Sequence, residues 1–154
     1  MGKQISEEYK GKNLYVISLL KGSFVFTADL VRKISIPVKI GFMTTSSYGH
    51  SDTSSGKVQM KADITDDLEE YDVMVVDDIV DSGITMNFVL EHLKSKNPKS
   101  LASCVLLDKP SRRQIFMEPD YVGFTIEDKF VVGYGLNYGD YYRKIMRGEV
   151  KCML

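Results

Sequence analysis

The chain has 154 residues, 44% of them hydrophobic and 27% charged, and its 20 lysines and arginines face 21 aspartates and glutamates for a net charge of −1. A chain of this length suits one domain, here taken as 1–154, and buries roughly 68–70% of its unfolded surface, enough for a core without staples. The composition excludes wholesale disorder, and the near-neutral balance excludes a general polyanion binder working by bulk charge while allowing a local basic pocket. Two cysteines, Cys104 and Cys152, lack metal-type spacing, which argues against a disulfide framework and for a reducing compartment. No apolar run approaches the roughly 18 residues of a membrane span, and residues 1–8 lack the apolar centre of a signal peptide. The expectation is a soluble, cytoplasmic protein.

Apolar runs alternate with helical patterns and no internal repeat interrupts them, the signature of an α/β fold on a mostly parallel sheet. A first strand spans 14–20 and is broken by Lys21-Gly22-Ser23. A helix is predicted over 24–34, with Phe24, Ala28 and Val31 at helical spacing and Leu30 and Ile34 widening the apolar face. A second strand covers about 37–43, followed by a polar stretch, 46–56, in which His50 reads as a solvated loop residue. A third strand alternates through Val58, Met60 and Ala62. The run Val73-Met74-Val75-Val76 suits a strand buried on both faces. A helix near 85–96, a strand over 101–107 and short strands near 121–126 and 130–134 complete the order, with tyrosines and glycines clustered after them.

The segment Val73 to Thr85 concentrates the chemistry. A buried strand delivers Asp77 and Asp78 at its carboxyl end, and a loop of small and hydroxyl residues, Asp81-Ser82-Gly83-Ile84-Thr85, leads into a helix. Ligands of open α/β sheets sit outside the carboxyl ends of the strands, and a helix amino terminus offers unpaired N–H groups to a phosphate. The bland reading is a strand ending in a turn, with Asp81 or Ser82 capping the helix. Two carboxylates directly after an apolar run exceed what a cap needs, so the balance favours a site.

This segment resembles the phosphoribosyl-pyrophosphate (PRPP) motif of type I phosphoribosyltransferases, and of hypoxanthine-guanine phosphoribosyltransferases in particular. The likeness extends in order through Leu19-Leu20-Lys21-Gly22-Ser23-Phe24, Ser46-Ser47-Tyr48-Gly49, Leu107-Asp108-Lys109-Pro110-Ser111-Arg112-Arg113 and Asp128 to Leu136, covering about residues 2–145. It implies a twisted, mostly parallel sheet flanked by helices, with a small, reduced hood from the C-terminal part. It also implies transfer of the phosphoribosyl group of PRPP to hypoxanthine or guanine, giving IMP or GMP and pyrophosphate. By the same resemblance Asp77 and Asp78 hold the ribose hydroxyls, directly or through Mg2+, and the loop Asp81, Ser82, Gly83, Ile84 and Thr85 cradles the 5-phosphate. Asp81 is the general base near the imidazole ring of the purine. Lys21 and Gly22 form a pyrophosphate loop with a cis peptide expected between Leu20 and Lys21, and Arg143 meets the pyrophosphate. Ser47 and Tyr48 lie on a lid over 46–57 that excludes water. Lys109 donates to the six-oxo group and so selects against adenine, Phe130 stacks on the ring, and Val131 offers backbone contacts. Homodimers or homotetramers are implied, with no nucleic acid or membrane as partner.

Three departures stand out. Asp77 replaces the glutamate usual in the family's acidic pair. Asn137 stands where the family has an aspartate that helps bind a second magnesium, and a neutral amide is a weaker ligand for a hard cation. The start, Met1 to Ile5, resembles the second half of the family's first helix, as if its N-terminal segment were lacking, and the tail 148–154 matches the usual hood strand poorly. A rival reading is a non-catalytic or RNA-binding regulator on the same fold; it would call for a basic face, which the charge balance does not favour. A xanthine-preferring enzyme is the nearest rival within the catalytic class.

Overall fold

Val73, Met74, Val75 and Val76 are fully buried, as an apolar run covered on both faces requires. The computed structural model describes residues 1–47, 58–146 and 149–150. In chain order the main sheet holds β1 (Leu14–Leu20), β2 (Val38–Ser47), β3 (Val58–Ala62), β4 (Asp72–Val80), β5 (Ser100–Asp108) and β6 (Tyr121–Thr125). Its order is β3-β2-β1-β4-β5-β6, parallel throughout except for β3, which runs antiparallel along the outer edge of β2. The chain therefore builds outward from β1 to one edge and returns to build the other half from β4. The switch falls between β1 and β4, whose carboxyl ends open the crevice where such sheets bind ligands.

Helices cover both faces: α1 (Gly2–Glu8) and α2 (Phe24–Val31) on one, α3 (Ile84–Lys94) on the other. Under α3, Met86, Val89 and Leu93 pack with Tyr15, Ile17, Met43 and Leu68. On the opposite face Ile5, Phe26 and Leu30 pack with Val16, Met74, Val76 and Cys104. No helix among the described residues is long and apolar enough to cross a membrane.

The predicted helix 24–34 ends at Val31, and its inward face differs from the one expected. Phe24 and Ala28 are exposed, while Ser23, Phe26, Thr27 and Leu30 are buried. The reason is a buried hydroxyl cluster: Ser18 Oγ lies 2.7 Å from Ser23 Oγ and 2.8 Å from Thr27 Oγ1, and Ser23 Oγ donates to the Leu19 carbonyl at 2.5 Å. Satisfied hydroxyls can occupy a core face that an apolar pattern alone would not assign. The second strand runs past its expected end to Ser47.

The hood is small. β7 (Val131–Val132) pairs antiparallel with β8 (Glu149–Val150), so the tail, expected to match a hood strand poorly, does supply one. Tyr134 ties the hood to α2 by donating from its hydroxyl to Asp29 at 2.5 Å. Tyr48, His50 and Cys152, with most of the expected lid, lie outside the described residues, as does the side chain of Ser47.

Candidate active site

β4 ends by presenting Asp77 and Asp78, both partly buried. The Asp78 amide donates to Asp77 Oδ1 and the Ile79 amide to Asp78 Oδ1, each at 2.9 Å, which pins both carboxylates to the backbone. Burial, then the charge of Asp78, pushes the Asp77 carboxyl well above the ordinary carboxylate range. Burial also raises Asp78, against a lowering from its backbone bonds and the charge of Arg143. Two hard oxygen donors that repel each other at low hydration suit a divalent cation, which relieves that repulsion. Among the described residues no third acidic, histidine or cysteine side chain joins them as a ready-made metal cluster.

Beyond the pair, Asp77, Asp78, Asp81, Ser82, Gly83 and Thr85 line a concavity of about 270 Å³. Neither Asp81 nor Ser82 is the helix cap; that position belongs to Gly83, at φ +84°. The left-handed conformation is one a side chain resists. Ser82 Oγ instead accepts from the Ile84 amide at 3.3 Å. From behind, the Ser82 carbonyl takes the amides of Gln114 and Ile115 at 2.9 and 3.2 Å. Arg113 Nη1 donates to the carbonyls of Asp81 and Val80 at 2.7 and 3.3 Å, and its Nη2 pairs with buried Asp108. The segment after β5 thus braces the loop that leads into α3. In sequence Arg113 is one of two adjacent arginines, and nothing local distinguishes the one that braces the loop.

On the other side of the acidic pair, the Leu20–Lys21 peptide is cis, as expected. A Cβ on Gly22 would fall on the Asp78 carboxylate, and one on Gly135, at φ +101°, would collide with the Gly22 carbonyl. Three segments far apart in sequence therefore meet, Gly22 against the Asp78 side chain and Gly135 against the Gly22 backbone. Arg143 Nη1 donates to the Gly135 carbonyl at 2.7 Å, and its Nη2 lies 3.4 Å from Asp140, which also faces Lys21 Nζ at 3.6 Å. Gly22 thus lies against Asp78, while Lys21 and Arg143 meet at Asp140. Sequence reasoning missed Asp140, because an exposed turn aspartate carries no local signal. Asn137 is partly buried, two positions beyond Gly135.

At the far end Lys109 is only 6% exposed. Its amide donates to the Val80 carbonyl at 2.9 Å, so the residue after β5 is locked to the end of β4, and its Nζ lies 3.9 Å from Asp128 Oδ1. A buried ammonium is costly unless it is paired, and Asp128 is the carboxylate beside it. Phe130 is 47% exposed and meets the edge of Tyr138 with ring centroids 5.9 Å apart and planes at 86°. A half-exposed ring leaves a face for stacking. Val131, beside it in β7, is partly buried.

The family model for the phosphoribosyl transferase domain matches residues 1–139. The chain is 46% identical over 147 residues to a hypoxanthine phosphoribosyltransferase of Salmonella typhimurium, a match spanning 94% of this chain and 83% of that one. Its structure is similar to that of a Staphylococcus aureus hypoxanthine phosphoribosyltransferase, with a TM-score of 0.91, 41% identity and coverage of 97% and 82% of the two chains. A Trypanosoma cruzi hypoxanthine phosphoribosyltransferase variant complexed with the product IMP matches at a TM-score of 0.89 and 41% identity, over 97% of this chain and 80% of that one. These relatives are enzymes, and the regulatory reading finds no support among them. On both the sequence motifs and the sheet that carries them, the chain belongs to the phosphoribosyltransferase family, among the hypoxanthine-guanine phosphoribosyltransferases.

Proposed function

We propose that the protein transfers the phosphoribosyl group of PRPP to hypoxanthine or guanine, releasing pyrophosphate and giving IMP or GMP, as a step of purine salvage. The observation that carries this reading is the concavity lined by Asp77, Asp78, Asp81, Ser82, Gly83 and Thr85, with Gly22 against Asp78 on one side and buried Lys109 tied to the end of β4 on the other.

In that reaction the bond from the anomeric carbon to pyrophosphate breaks as the purine nitrogen approaches, through a state with oxocarbenium character. Catalysis then consists of positioning and charge stabilisation. Lys21, the Gly22 backbone and Arg143 steady the leaving pyrophosphate. Asp77 and Asp78 hold the ribose hydroxyls and would hold Mg2+, with Asn137 a weaker neighbour for a second ion; the cation supplies charge neutralisation at the pyrophosphate oxygens. Ser82, Ile84 and Thr85 receive the 5-phosphate by hydroxyl and amide, with Gly83 shaping the turn. Asp81 takes the proton from the imidazole ring of the incoming purine. Lys109 donates to the six-oxo group, Phe130 stacks on the ring, and Val131 offers its backbone at the base edge. Ser47 and Tyr48 would close over PRPP. A buried free thiol at Cys104, pushed up to about 12 by burial, fits a reducing, cytoplasmic setting. We further infer a homo-oligomer, dimer or tetramer.

The test is a steady-state assay with PRPP, Mg2+ and each of hypoxanthine, guanine, xanthine and adenine. Turnover of the first two and not adenine is expected. A folded sample that turns over none of them overturns the proposal, and preference for xanthine would correct its substrate.

A further inference from the structure

Resting on the transfer proposed above, the geometry points to Arg112 as a positioning residue that links the proposed base, Asp81, to the proposed purine selector, Lys109, through Asp128. Arg112 ends a short 3-10 turn, Pro110–Arg112, directly after β5. Its guanidinium lies between two carboxylates: Nε is 3.3 Å from Asp81 Oδ1, and Nη1 is 3.4 Å from Asp128 Oδ2. The other oxygen of Asp128 lies 3.9 Å from Lys109 Nζ. Charges therefore alternate Lys109, Asp128, Arg112, Asp81 across the purine end of the crevice, brought together from three separate segments.

These groups hold little of the fold. The side chains of Arg112, Asp81 and Asp128 are 56%, 41% and 52% exposed, and exposed ion pairs contribute little net stability. What the fork of a guanidinium can do is fix direction, because its donors are planar and rigidly spaced. With Oδ1 engaged by Arg112, Asp81 keeps its other oxygen for the purine proton. A carboxylate free to swing loses the alignment on which proton transfer depends. At the opposite end, Arg112 shares Asp128 with Lys109. Without that share Asp128 is left to Lys109 alone, and the ammonium is drawn from the substrate's oxo group. The neighbouring Arg113 cannot take over, since its guanidinium is committed to the carbonyls of Val80 and Asp81 and to Asp108.

The experiment compares the full chain with Arg112→Met, Arg112→Lys, Asp128→Asn and the double variant R112M/D128N, measuring thermal midpoint and kcat and KM for hypoxanthine and for PRPP. R112M is expected to keep the wild-type midpoint and PRPP KM while kcat/KM for hypoxanthine falls about tenfold or more, a part of the 10²–10⁴ that a positioned base supplies. R112K, which reaches one carboxylate at a time, should restore part of the loss, and R112M should cost less when Asp128 is already Asn. Unchanged hypoxanthine kinetics in R112M overturn the inference, as does a loss that Lys does not relieve and that follows the midpoint. If R112M proves unstable, D128N decides: a hypoxanthine KM that shifts at unchanged PRPP KM is expected, and no change overturns. A wild-type chain without turnover overturns the proposed function itself, and this inference with it.

Discussion

Asp77 and Asp78 stand where burial opposes ionisation, and at Asp77 the charge of Asp78 adds to that opposition. A carboxyl whose folded pKa lies above its unfolded value of about 3.9 loses stability as pH rises through that interval and stays penalised at neutral pH. Replacing Asp77 by Asn removes the charge and keeps an oxygen for the Asp78 amide. Asp77→Asn is therefore expected to raise the thermal midpoint of the ligand-free protein while lowering activity, a stability cost accepted at a binding site. Thermal unfolding at pH 7 and an assay on the same samples check this; a lowered midpoint contradicts the account. At Asn137 the departure from the family is testable in the reverse sense. Asn137→Asp supplies a charged oxygen ligand, so half-maximal rate should be reached at a lower Mg2+ concentration, and an unchanged titration removes Asn137 from the metal's surroundings.

The elements are joined by parts that resist substitution for identifiable reasons. Gly83 opens α3 at φ +84°, and a Cβ there would lie 3.1 Å from each of Arg113 Cδ, the Ile115 carbonyl and Met117 Cγ. A left-handed residue costs roughly 1–2 kcal/mol with a side chain, and the crowding adds to it. Gly83→Ala should lower stability by at least that range and weaken PRPP more than the purine, because the displaced loop is the one proposed to receive the phosphate. Chemical denaturation with both KM values checks it; equal weakening of the two substrates would argue for general distortion. The buried hydroxyls of Ser18, Ser23 and Thr27 show the same principle in α2, where hydrogen bonding rather than apolar periodicity chose the inward face.

Over the whole molecule, ties of long sequence separation hold the loops to the sheet. Asp66, between β3 and β4, accepts from Tyr15 of β1 at 2.7 Å and pairs with Lys39 of β2. The bond from Lys39, then that from Tyr15, holds its carboxyl below the ordinary range. A depressed carboxylate stabilises the fold above the unfolded value of about 3.9 and ceases to do so as pH falls through the folded value. Asp66→Asn should accordingly be less stable than wild type at pH 7, with the difference closing below about pH 4 as the wild-type carboxylate protonates. Denaturation midpoints across pH 2–7 measure it, and a difference that persists unchanged to pH 2 refutes the role of the charge.

What the sequence by itself determined is local: the apolar run of β4, the acidic pair at its end, the small-residue loop and the helix after it are neighbours along the chain, so spacing and residue type reveal them together. The ordered motifs did the same for Lys21-Gly22, Lys109 and Phe130-Val131, and the parallel order of the sheet followed from alternation of strand and helix. The tertiary structure alone decided which segments meet. Gly22 lies against Asp78 and Gly135 against Gly22, Arg112 reaches Asp81 and Asp128 across 31 and 16 positions, and Arg113 braces the loop ahead of α3. A glycine needed for close approach and an arginine needed for a distant carboxylate look like ordinary turn and surface residues in sequence. Their roles come from partners that crossovers of the sheet bring together, and chain spacing carries no trace of that distance.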